Sequence, residues 1–141
     1  MKWADCKTEQ AFKMEWIRRY KSDTAKYFCI ETEETIKGFP DVLSIVTPSK
    51  GTRNGQFPKF FEFKKARKGW IEFQPTQPAF YKANRELDIT IVALVENKGK
   101  HYIVSFPAIW LLSNDLSYYG LKGGLRLDLR PLCFEGNEVK E

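Results

Sequence analysis

With 141 residues, 43% of them hydrophobic and 15% aromatic, the chain suits one compact domain with its own core, and its mixed composition excludes a low-complexity or disordered tract. No run is long enough to cross a bilayer: the least polar stretch, Ile103 to Asn114, is short and holds Pro107, and Met1 to Cys6 carries Asp5 with no apolar segment behind it, so a cytoplasmic location is expected. Cys6, Cys29 and Cys133 are scattered and His101 stands alone, which argues against a disulfide framework or a zinc site, while the net charge of +5 suits a polyanionic partner.

Thr8 to Tyr20 reads as a helix with Thr8 as its cap. Glu9, Phe12, Trp16 and Tyr20 recur at helical spacing and form the stripe expected to face inward, with Glu15 towards the edge of that stripe. A carboxylate on a buried stripe needs a partner or a metal, which singles out Glu9, although Glu15 fills the same role in another register. After the turn residues Ser22 and Asp23, Lys26 to Glu33 is expected as a strand. Gly38-Phe39-Pro40 then bends the chain, and Asp41 opens the β-branched, largely apolar strand Val42 to Val46. Thr47 to Pro58, with Pro48, Gly51, Gly55 and Pro58, has loop chemistry. Lys59 to Lys65 is the next strand, and alternation puts Phe60, Glu62 and Lys64 on one face with Phe61 and Phe63 on the other.

Ala66 to Gln74 is expected as a basic, glycine-containing connection, and Thr76 to Leu87 as a helix with Pro78 in its first turn. Gln77, Phe80, Tyr81 and Asn84 share one side of that helix, and Trp70, Phe80 and Tyr81 read as core or platform packing rather than base-stacking groups. Ile89 to Val95 is the clearest strand; Glu96-Asn97-Lys98-Gly99 turns the chain into a second one, His101 to Phe106, and Pro107 to Leu112 suits a short helix. Behind Gly123-Gly124, Leu125, Leu127 and Leu129 alternate with Arg126, Asp128 and Arg130 as a half-exposed strand, and Glu135 to Glu141 is expected to fray. This order predicts a single α/β (α+β) domain over residues 1–141, built as a central mixed β-sheet flanked by helices, with a core at about 8–113 and a C-terminal extension at 114–141.

Two short motifs carry the chemistry. Asp41 lies at the mouth of one strand, and Glu62 and Lys64 share a face of the next. Magnesium takes oxygen ligands and keeps several waters, so two acids plus the backbone carbonyl of Phe63 can seat it, with the Lys64 ammonium alongside. That combination suits phosphodiester hydrolysis, which needs an activated water and neutralisation of charge on the phosphate. A turn aspartate and a solvated Glu-Lys strand face are the bland alternative; the phenylalanines around Glu62 and Lys64 weigh against it. Lys50, Arg53, Lys65, Arg67 and Lys68 crowd the same region, and with Lys82 they are candidate phosphate contacts.

Taken in order, Gly38-Phe39-Pro40-Asp41, Phe61-Glu62-Phe63-Lys64-Lys65 and Gln77-Pro78-Ala79-Phe80-Tyr81 resemble the PD-(D/E)XK nuclease superfamily, most closely its VRR-NUC and phage-type Holliday junction resolvase branch. The resemblance covers Thr8 to Val95 and implies a restriction-endonuclease-like core and a magnesium- or manganese-dependent DNA endonuclease, with branched DNA as a candidate substrate in phage or mobile-element recombination and repair. It implies Asp41, Glu62 and Glu9 as metal ligands, Lys64 as the catalytic lysine and Gln77 as a polar residue near the scissile phosphate, with Gln74 a weaker competitor for that place. A junction substrate would call for a homodimer, and Leu125, Leu127 and Leu129 are one candidate surface for it. A non-catalytic nucleic-acid-binding or partner-binding module on the same fold is the alternative reading.

Overall fold

The computed structural model describes residues 2–30, 38–46, 57–113, 117–119 and 124–140. In chain order the elements are α1 (Glu9–Tyr20), β1 (Ala25–Cys29), β2 (Val42–Val46), β3 (Phe57–Lys65), β4 (Trp70–Phe73), α2 (Thr76–Ala83), β5 (Ile89–Asn97), β6 (Lys100–Pro107), β7 (Ser117–Tyr119), β8 (Leu125–Asp128) and β9 (Glu138–Val139), with short 3-10 turns between some of them. The fold is α+β: a mixed six-stranded sheet in the order β1-β2-β3-β5-β6-β9 and a three-stranded sheet in the order β4-β8-β7. β3 and β5 run parallel, and the other neighbouring pairs are antiparallel. A parallel pair needs a crossover, and residues 66–88 supply it with β4 and α2.

Both faces of the large sheet are covered, so β5 is buried along most of its length and alternates between two cores. Val92 and Leu94 point to the α1 side with Trp3, Cys6, Phe12, Val42 and Phe63. Ile89, Ile91, Ala93 and Val95 point to the side of α2 and the small sheet. Phe12 and Phe63 meet edge to face at 5.7 Å between ring centroids, which seats α1 on β3. Thr8 caps α1 by accepting the Ala11 N–H at 3.0 Å. The turns before β4 and β6 are Lys-Gly pairs with both residues at positive φ (52° and 88° at Lys68-Gly69, 53° and 78° at Lys98-Gly99), the backbone that tight hairpins require.

Several expectations need correction. Residues 70–73, expected inside a connection, form β4, which pairs with the distant β8. The second helix ends at Ala83 and not at Leu87: Asn84 leaves the helical backbone, at φ −127° and ψ 51°, and its side-chain amide donates to the Phe80 carbonyl at 2.9 Å. β1 ends at Cys29; residues 31–33 of the expected strand lie outside the described residues, as does the loop 47–56 with Lys50 and Arg53. Residues 135–140 do not fray: Glu138 and Val139 pair with Tyr102 and His101 at the sheet edge, while residue 141 lies outside the described residues. Leu125, Leu127 and Leu129 are 2%, 0% and 0% exposed and belong to the core beneath the small sheet, so they form no association surface. Among the described residues, no helix is long and apolar enough to cross a membrane.

Candidate active site

β2 stops at Val42, opposite Phe61, whereas β3 runs on to Lys65 beside β5. Past Phe61, β3 therefore has a free edge, and Asp41 stands at its start. The Asp41 Oδ2 accepts a long hydrogen bond, 3.4 Å, from the Phe63 N–H. A strand residue's N–H and C=O leave by the same edge, so the Phe63 carbonyl faces the same gap. Gly38 fixes the approach: its φ of +88° and the 2.2 Å that would separate a Cβ from the Thr76 carbonyl oxygen leave room for glycine alone. Phe39 then packs against Phe60 and Phe80, at 5.4 and 5.2 Å between centroids, and ties the bend to β3 and α2.

On the α2 face of β3, Glu62, Lys64 and Gln77 are 3%, 7% and 9% exposed. Gln77 joins the other two. Its Nε2 donates to Glu62 Oε1 at 2.7 Å, and its Oε1 accepts from Lys64 Nζ at 3.1 Å and from the Gln74 backbone N–H at 2.9 Å. The backbone donor fixes which end of the amide faces which charge. Lys64 Nζ also lies 4.8 Å from the centroid of the Phe73 ring. The other oxygen of Glu62, Oε2, is buried, and no amide, ammonium or hydroxyl donor among the described residues reaches it. What faces the Glu62 carboxyl is Asp41, acting both by charge and by hydrogen bonding. Burial first, then Asp41, and more weakly Glu9, hold the protonation of Glu62 well above the ordinary carboxylate range, with Lys64 opposing them. Two carboxyls so placed repel each other, and burial makes it costly to charge Glu62 beside Asp41.

The structure brings Glu9, Asp41, Glu62, Lys64 and Gln77 to one cleft of about 500 Å³. Glu9, however, is not on a buried stripe: it is exposed, in the first turn of α1, and opens onto the cleft. The buried acid of that helix is Glu15, which lies away from the cleft. Arg18 Nε reaches both of its oxygens, at 2.9 and 3.0 Å, and Arg19 Nε approaches to 3.6 Å. Lys65 and Arg67 line the cleft, while Lys68 and Lys82 are exposed elsewhere. Among the described residues no three carboxylate, cysteine or histidine side chains gather around one point; Asp41 and Glu62 form a pair, with Glu9 less tightly associated.

Sequence reasoning missed several residues here. Tyr81, read as packing, is 2% exposed, yet its hydroxyl has no hydrogen-bond partner among the described residues; burial and then the charges of Glu62 and Asp41 push its ionisation upward. Its position four residues after Gln77, on the same helix face, was the available signal. Trp70, Glu72 and Arg126 also line the cleft, from strands that sequence reading took for a connection and a tail.

No protein-family model matches the chain, and a search of curated proteins finds no match.

Proposed function

We propose that the protein is a metal-dependent endodeoxyribonuclease that hydrolyses backbone phosphodiesters, of the PD-(D/E)XK kind its motifs resemble, with branched DNA one candidate substrate beside nicked duplex, flaps and single strands. The observation that carries this reading is the Asp41–Glu62 carboxyl pair at the free edge of β3, with a buried, donorless oxygen on Glu62 and the Lys64 ammonium held beside it by Gln77. Two facing carboxyls with one buried oxygen that meets no donor are the chemistry a divalent cation relieves, so the residues fit such an ion. Asp41, Glu62 and the Phe63 carbonyl would hold it, with Glu9 completing the site through water. When bound, magnesium or manganese supplies charge neutralisation and a more acidic water.

The protein's own groups do the rest. Gln77 locks Glu62 Oε1 and Lys64 Nζ at hydrogen-bond distance on one rigid face, so neither must be ordered when DNA arrives. Lys64 directs its ammonium at the attacking water and the phosphate oxygens on which charge grows. Lys65 and Arg67 meet neighbouring phosphates from the cleft rim. Burial of Glu62 and Lys64 keeps competing water away from both charges. Nicking of supercoiled plasmid on magnesium addition tests the reading. Wild type nicks, whereas Asp41→Ala and Lys64→Ala bind DNA without cutting it. Undiminished cleavage by either variant rejects the assignment, and DNA binding without cleavage by wild type leaves a binding module.

A further inference from the structure

The small sheet has two unlike faces. Ile71, Phe73, Leu125 and Leu127, at 1%, 3%, 2% and 0% exposure, point into the core. Their alternating neighbours Trp70, Glu72 and Arg126 point outward and line the same cleft as the carboxyl pair. The register sets Glu72 opposite Arg126. Glu72 Oε1 lies 3.2 Å from Arg126 Nε, and the Arg126 guanidinium lies over the Trp70 ring at 4.8 Å from its centroid. The Arg126 side chain is still 42% exposed and that of Glu72 72%, and Trp70 is itself partly exposed.

We propose that the Trp70–Arg126 face is a platform for an unpaired nucleobase, so that the cleft takes a single-stranded stretch of DNA next to the phosphate to be cut. The inference rests on the nuclease reading for its phosphate side and names the substrate class of that site. A nucleotide is an anion joined to a flat ring. The cleft offers carboxylates and Lys64 from the large sheet, and an indole with a guanidinium plane from the small one. Bases stack on aromatic rings and on arginine planes with little regard to sequence. In a duplex both faces of a base are already covered by its neighbours, so the platform discriminates against paired DNA.

The test measures binding with no metal present, so it does not depend on cleavage. Fluorescein-labelled oligothymidylate and a blunt hairpin duplex of equal charge are titrated with the full chain in EDTA, reading anisotropy and tryptophan fluorescence. Wild type favours the single strand, Trp70→Ala weakens that complex about tenfold or more while changing duplex binding less than about twofold, and Trp70→Phe retains most of the affinity. Oligothymidylate quenches the emission of wild type, and Trp70→Phe loses that quenching although the other three of the chain's four tryptophans remain. Equal losses on both probes, no loss on either, or undiminished quenching in Trp70→Phe overturns the platform. Should Trp70→Ala fail to fold, the Trp70→Phe quenching decides. Trp70-dependent binding by a protein that never nicks plasmid upholds the platform and discards the nuclease; nicking with Trp70-independent binding does the reverse.

Discussion

The protein buries two glutamates to nearly the same degree, Glu15 at 4% exposure and Glu62 at 3%, and surrounds them in opposite ways. Glu15 sits on α1 with Arg18 across both oxygens and Arg19 behind it, so its carboxyl is held below the ordinary range, chiefly by the Arg18 hydrogen bond. Glu62 has Gln77 on one oxygen and, among the described residues, no cation or amide donor on the other, where the acid Asp41 faces it, and is held above that range. Burial alone therefore does not mark a functional acid. An acid whose neighbours complete it is structural, whereas one left incomplete beside a second acid is poised for something that arrives later.

The largest effect that sharpens this contrast is catalytic. Lys64→Ala or Asp41→Asn lowers magnesium-dependent nicking by about 10³-fold or more, whereas Glu15→Gln leaves the rate unchanged, as initial rates on plasmid will report. Next in size is the thermal behaviour of the metal-free protein. Glu62→Gln removes an uncompensated charge while keeping the Gln77 contact, so it raises Tm by on the order of 5 °C by calorimetry. Glu15→Gln lowers Tm, because it takes the charge from between two arginines.

The smallest effect is a pair of opposite pH slopes. An unfolded glutamate titrates near 4.5. Folded Glu62 titrates well above that, so in the window between the two values the folded state holds a proton the unfolded state lacks. Metal-free stability from this group is present below 4.5 and is lost as pH rises through the folded value. Folded Glu15 titrates below 4.5, so its contribution is present above that value and is lost as pH falls through the lowered one. Denaturant melts across pH, in EDTA, show the alkaline slope vanish in Glu62→Gln and the acid slope shrink in Glu15→Gln.

Much of this site was legible because β3 is a strand with an unbroken period of two: once Phe61 and Phe63 face α1, Glu62 and Lys64 must share the other face. The bend at Gly38 was legible for a similarly local reason, a glycine and a proline flanking an aromatic. Glu9 and Glu15 were harder. A stripe through Phe12 and Trp16 admits either acid, and only the seating of α1 on Phe63 decides that Glu15 turns inward while the first turn opens on the cleft. β4 escaped notice because four residues beside a basic Lys-Gly turn carry too short an alternation to read, and its partner β8 lies far along the chain. The tail was underread for the same reason: its order comes from pairing with β6 and from the core under Leu125, Leu127 and Leu129, which are tertiary facts.

The central claim, that the Asp41–Glu62 pair is built to receive a divalent cation, is tested most directly by thermal unfolding of wild type and Asp41→Asn during titration with manganese at neutral pH. A ligand that binds only the folded state raises Tm with concentration, by about 2.7 kcal/mol of stability at a hundredfold excess over Kd. The account predicts a saturating rise for wild type and none for Asp41→Asn. Equal rises in both proteins, or no rise in either, would contradict it.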